Sequence, residues 1–223
     1  MRTITTTVYQ YNELTDKAKE RARAWYRDGG FDYDWWDCLY DDFDQRAKEL
    51  GITLNRKYIP LMNGKTRSEP EIYFTGFYHQ GSGSSFAGRW KAQDMQVDKL
   101  KSECPTDTEL HQIADVLADC AKEDEEMWAD IRAKSDNWIE VEVHDGGATE
   151  DKLTELEYES NEYNLLMEAC KQREDEVIEA LRDFNRWIYR SLEKEWEWLN
   201  SDEQVAETIM ANEYEFTEDG EPI

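Results

Sequence analysis

An α+β fold, with an antiparallel sheet of about five strands and several helices packed on one face, is the architecture this sequence predicts. Three observations carry that expectation. Helical stripes with apolar residues three and four apart alternate with short β-prone runs of period two. No Pro/Gly-rich linker, low-complexity tract or internal repeat interrupts them. With 39% hydrophobic and 13% aromatic residues in 223 positions, the chain has enough large apolar surface to bury a core. A single domain over residues 1–223 is expected.

The elements follow in order. Thr3 to Tyr9 is β-prone, and Thr15 then caps a helix through Ala18, Ala22, Trp25 and Tyr26 that stops at Gly29-Gly30. Trp36, Leu39, Tyr40, Phe43, Ala47 and Leu50 form the stripe of a second helix ending at Gly51. Three β-like runs, Ile52 to Ile59, Glu71 to Tyr78 and Ser85 to Trp90, read as an antiparallel meander, the last two joined by the tight loop His79 to Ser84. Thr106-Asp-Thr-Glu109 matches a capping box for a long third helix whose stripe continues through Trp128 and Ile131. Trp138 to His144 and Thr154 to Glu159 both alternate strictly around Asp145-Gly-Gly147 and are expected to pair as neighbouring strands. A long helix from Tyr163 to Leu199 and a short one capped by Ser201-Asp-Glu-Gln204 close the chain, before a turn-like tail.

Charge separates function classes. The net charge is −26, and it is uneven: residues 1–100 carry 15 acids and 15 bases, residues 101–223 carry 37 acids and 11 bases. Such a surface repels phosphate backbones, which excludes direct nucleic-acid binding, and it exceeds the net charge of ~2–8 that keeps a small domain soluble. Four cysteines without metal-ligand spacing, an N-terminus without a long apolar region and no membrane-length apolar run point to a cytoplasmic protein with reduced thiols.

Motifs of catalysis are missing. The loop Gln80-Gly-Ser-Gly-Ser-Ser85 lacks the Lys of a P-loop and leads into a β-prone run, so it reads as a hairpin connection and, secondarily, as a ligand loop. Asp28 to Asp34 fails the order of an EF-hand, and His79, His111 and His144 have no local metal or catalytic companion. No G-x-S-x-G elbow is present. Neither enzymatic activity nor a cofactor or metal is expected. Trp35, Trp36, Trp187, Trp196 and Trp198 have acidic neighbours and serve core packing or interface anchoring rather than base stacking.

The acids themselves are the candidate site. If Thr154 to Glu159 pairs beside Trp138 to His144, Glu140, Glu142, Glu155, Glu157 and Glu159 share one strand face, where like charges repel and the fold gains nothing. Glu193, Glu195 and Glu197 crowd a helix C-terminus, where the macrodipole prefers cations. Asp119, Glu123, Asp124, Glu125, Glu126 and Asp130 form a third patch. Carboxylates spaced about as densely as phosphates imitate a nucleic-acid backbone and suit the basic groove of a nucleic-acid-binding protein.

Asp32-Tyr-Asp-Trp-Trp-Asp37, the stretch Tyr73 to Gly88 and the closing Ala211 to Gly220 resemble a family of small acidic bacteriophage and prophage proteins, some labelled antitoxin of a toxin–antitoxin stability system. The similarity spans most of the chain. It implies host takeover or counter-defence and supplies no catalytic residues. Where the family has Gln-Gly-Asp-Gly this chain has Gln80-Gly-Ser-Gly83, which weakens any acid or metal role for the loop. The expected function is thus an inhibitor that occupies the basic groove of a host nuclease, CRISPR, restriction or repair component. The alternatives are an antitoxin against a basic toxin, and a nucleotide sponge built on the glycine loop with Arg56, Lys57, Arg89 or Lys91 nearby.

Overall fold

The computed structural model describes residues 7–29 and 33–223. The expected strand residues Thr3 to Thr6, and Gly30 to Asp32 of the glycine-aspartate segment, lie outside that range. The chain divides into two compact units, residues 1–37 with 192–223, and residues 38–191. The change in charge near residue 100 falls inside the second.

The first unit joins the two ends of the chain. Strand β1 (Tyr9–Gln10) pairs antiparallel with β10 (Glu215–Phe216), and helices α1 (Asp16–Gly29) and α7 (Asp202–Ala211) pack beside them. Ala18, Ala22 and Tyr26 recur every four residues and so present one face of α1, which is buried with Tyr11, Leu14, Val205, Ile209 and Phe216. Both predicted caps form: Thr15 Oγ1 accepts from the Ala18 N–H and Ser201 Oγ from the Gln204 N–H. The Trp35 and Trp196 rings meet with centroids 5.5 Å apart.

The second unit is α+β. Helix α2 (Asp37–Glu49) is followed by strands β2 (Ile52–Leu54), β3 (Arg56–Pro60), β4 (Thr66–Pro70), β5 (Ile72–Phe74), β6 (Ser84–Phe86) and β7 (Gly88–Lys91). Then come α3 (Val97–Glu103), α4 (Thr108–Glu123), β8 (Trp128–Ser135), β9 (Trp138–His144), α5 (Ala148–Thr154) and α6 (Asn161–Leu199), the last of which runs on into the first unit. The expected five-stranded sheet is divided: one four-stranded antiparallel sheet has the order β2-β7-β8-β9, while β3-β4 and β5-β6 are separate pairs. Gly88 lets β7 lie tightly on β2, since a Cβ there would sit 2.5 Å from the Thr53 carbonyl oxygen.

Register sorts the four-stranded sheet into two faces. Ile52, Trp90, Ala129 and Val143 stand in line, as do Gly88, Ile131 and Val141 beside Leu54. Ile52, Trp90 and Ala129 are fully buried. Helix α6 contributes Val177, Leu181, Phe184 and Ile188 to the core, with Phe184 edge-on to Phe86 and Trp187 edge-on to Phe43. The Trp187 indole N–H donates to Asp107, whose other carboxylate oxygen caps α4 through the Leu110 N–H, so the cap is Asp107 rather than Thr106.

Two expectations about the acidic part fail. Helix α4 stops at Glu123, and Trp128 and Ile131 lie on β8, because Ala129, Ile131 and Ala133 alternate inward while Asp130, Arg132 and Lys134 alternate outward. Thr154 to Glu159 is not a strand: Thr154 ends α5, Glu155 to Glu159 form turns, and Glu159 is left-handed at φ 60°. The partner of β9 is β8, joined by the short turn at Asp136-Asn137, a closer loop to close than one of ten residues.

Candidate functional site

The outer sheet face carries acids, and they are compensated. Arg132 lies 2.9 Å from Glu142 and 3.7 Å from Glu140, Lys134 lies 2.7 Å from Glu140, and Arg89 lies 2.9 Å from Asp130. Arg89 also stacks over Trp128, which stacks on His144. The expected run of repelling glutamates is therefore a mixed-charge face: Arg89 stands opposite Asp130 and Arg132 opposite Glu140, while Asp130 and Glu142 stand opposite each other with Arg132 near both. Glu155, Glu157 and Glu159 are exposed but stand on turns away from that register.

The remaining acids separate by burial. Asp124 is 3% exposed and accepts from the backbone N–H groups of Glu126 and Gly146, so it is a turn anchor rather than a partner-binding group. Asp119, Glu123, Glu125 and Glu126 are exposed. On α6, Glu193 and Glu197 share a face while Glu195, two residues on, points to the opposite one, so these three form no single patch.

A larger acidic surface lies where α4 meets α6. Cys120 contacts Arg173 and Glu176, while Glu109 contacts Arg190, so the two helices run antiparallel. Glu109, Glu176, Glu179 and Asp183 line one groove of about 490 Å³ between them, and Glu168, Asp175, Glu176 and Glu179 line another of about 490 Å³ further along α6. Glu168, Asp175, Glu176 and Glu179 were not among the residues expected from sequence, because their helical register is visible only once α4 is placed beside them. Burial and the Glu176 carboxylate push the Cys120 thiol up to about 11.

The glycine loop occupies a different place. Gln80 and Gly81 are exposed at its tip, with Gly81 left-handed at φ 90° and its carbonyl accepting from the Asn137 side chain. Ser84 and Ser85 are buried in β6, which removes them as surface ligand groups. Ser84 instead ties the loop to α6: its hydroxyl donates to the Asn185 carbonyl at 2.8 Å, and the Asn185 amide donates back to the Ser84 carbonyl at 2.7 Å. Ser82, Gly83 and Ser84, with Asn137 and Trp138, form one side of a cleft of about 220 Å³, and Arg182, Asn185, Arg186, Tyr189 and Arg190 of α6 form the other.

The cations beside the loop are thus Arg182, Arg186 and Arg190, not Arg56, Lys57, Arg89 or Lys91. Lys57 pairs with Glu69 of β4 and Arg56 with Asp44 of α2. The spacing Arg-x-x-x-Arg-x-x-x-Arg, three of the 11 bases in residues 101–223, was the available signal. Among the described residues, no group of three or more His, Cys, Asp or Glu side chains is placed to hold a metal ion, and no helix is long and apolar enough to cross a membrane.

A family model described as a domain of unknown function, DUF8835, matches residues 35–202, three quarters of the chain. The chain belongs to the DUF8835 family. The DUF8835 match includes every residue of the second unit, and so both the acidic grooves and the arginine cleft. No curated protein and no solved structure matches the chain.

Proposed function

We propose that this DUF8835 protein is a non-catalytic inhibitor that sets its acidic α4/α6 surface into the basic groove of a bacterial nucleic-acid-handling protein. The observation that carries the reading is the gathering of Glu168, Asp175 and Glu176 along α6, with one base, Lys171, lining the same groove, beside the end of α4, where Glu123 is exposed. No residue of α6 before Val177 is buried, so this stretch is presented to solvent rather than used by the core. Complementary charge of this kind chiefly accelerates association and makes the complex salt-sensitive. The resemblance to small acidic bacteriophage proteins supports counter-defence in the host cytoplasm, with a nuclease, CRISPR, restriction or repair component as partner.

The test is capture from nuclease-treated bacterial extract, followed by competition with duplex DNA. A partner that is released by salt and displaced by DNA is expected. The double variant Glu168→Lys with Asp175→Lys lowers its affinity at least tenfold, whereas Glu140→Lys with Glu142→Lys, on the compensated sheet face, leaves capture intact. Capture that survives the helix variant, or that DNA does not displace, overturns the reading.

A further inference from the structure

We infer that the cleft between the glycine loop and α6 binds a phosphate monoester. The argument begins with which way each side chain of α6 is turned. Arg182, Arg186 and Arg190 recur every fourth residue and line the cleft, while their carboxylate partners Glu179, Asp183 and Glu109 line the neighbouring α4/α6 groove. Arg182 pairs with Glu179 at 2.7 Å, Arg186 with Asp183 and Glu179, and Arg190 with Glu109. The row of guanidinium groups is therefore a wall between two spaces of opposite character. A guanidinium has five N–H donors in a planar fork, and one or two carboxylate oxygens leave donors over. The carboxylates fix the forks from the groove side, and the cleft receives the remaining edges, the arrangement in which arginine grips phosphate oxygens.

The rest of the lining bears on how a ligand sits. Arg182 Nε is shielded from solvent, so a ligand in the cleft meets the terminal nitrogens of that guanidinium rather than Nε. Trp138, 53% exposed, stands at the mouth with the Arg182 guanidinium 5.0 Å over its ring. Gly83 packs closely on the other lining residue Asn137, where a Cβ would lie 3.1 Å from Asn137 Cβ. The volume of about 220 Å³ is below the ~300–1,000 Å³ of sites that enclose a whole drug-sized ligand. It takes the phosphoryl group and leaves the remainder of the ligand over Trp138. Acids beyond about 8 Å oppose this anion only weakly, being screened at physiological salt, while Glu179, Asp183 and Glu109 stand nearer and offset part of the arginine charge.

The test is thermal unfolding of the full chain with inorganic phosphate, ribose 5-phosphate or a nucleoside 5′-monophosphate, against sodium chloride of equal ionic strength. A rise in Tm of about 3–6 °C at tenfold excess over Kd is expected for the phosphates and none for chloride. A larger rise with the nucleoside monophosphate than with ribose 5-phosphate identifies a nucleotide, and equal rises identify a sugar phosphate. Arg186→Gln abolishes the shift. Arg186→Lys, which keeps the charge and the ion pair, retains only part of it and decides the matter if the glutamine variant does not fold. No phosphate-specific shift, or a full shift in whichever arginine variants fold, overturns the inference.

Discussion

Glu142→Lys separates two opposed accounts of the outer sheet face. If that face were a block of repelling acids, placing a cation in it would stabilise the fold. The structure instead sets Glu142 2.9 Å from Arg132, with Asp130 directly across the strand pair and itself bonded to Arg89. At a water-like dielectric, unit charges about 3 Å apart attract by about 1.4 kcal/mol. Both side chains are about half exposed, at 53% and 52%, and exposed pairs of this kind return ~0.2–1 kcal/mol. Glu142→Gln loses that amount less the repulsion from Asp130 that it relieves. Glu142→Lys adds repulsion from Arg132, offset in part by attraction to Asp130, for a total loss of ~0.5–1.5 kcal/mol. In thermal unfolding that is about 1–6 °C. Urea titrations at low salt and at about 1 M salt, where the screening length falls to about 3 Å, should show the loss shrinking with salt. A lysine variant more stable than the wild type at low salt would refute the mixed-charge account and restore the repelling-face one.

Two other outcomes follow from local chemistry. Cys120 is buried and its thiol is pushed up to about 11, whereas Cys38 is exposed, so at about pH 8 a maleimide labels Cys38 rapidly and reaches Cys120 only in denaturant; comparable native rates by peptide mass mapping would contradict this. Asp202 is held below its ordinary 3.8 by the hydrogen bond from Arg27 and then by the Arg23 charge, so its stabilisation is present above that value and is lost as pH falls through the lowered one. The Tm difference between wild type and Asp202→Asn should therefore close in acid, and a difference that stays constant to about pH 2 would show that the ion pairs do not contribute.

Much of the helical framework was legible because local signals decide it. Thr15, Ser201 and the apolar stripes of α1, α2 and α6 specify their helices within a turn or two. The strands were harder. Trp128 and Ile131 are three apart and satisfy a helical stripe as well as a strand, and only pairing with β9 settles them. Thr154 to Glu159 alternates as cleanly as β9 does, yet alternation describes a strand without naming its partner, and β8 had already taken that place. Strand β4 passed unrecognised because Thr66 to Pro70 is polar and its buried residues, Glu69 and Pro70, are neighbours at its end rather than alternating.

Candidate groups divided along the same line. The glycine loop was found by composition, but its cationic neighbours come from a helix about a hundred residues later, and nothing in either segment announces the other. The sheet glutamates were found by composition too, and their neutralisation by Arg132 and Lys134 depended on the missed strand β8.

The pairing of Tyr9 with Phe216 has a consequence for the order in which the molecule is made. Closing a flexible chain of about 207 residues costs roughly 2.7 kcal/mol more than closing ten, too much for a two-residue ribbon to meet alone. The DUF8835 segment is continuous and needs no such closure to begin folding. Once it has formed, the chains leaving it are held side by side at Trp35 and Trp196, with ring centroids 5.5 Å apart, and the search that remains is short. The β1–β10 ribbon thus closes the chain late, after α1 and α7 beside it have drawn the two ends together.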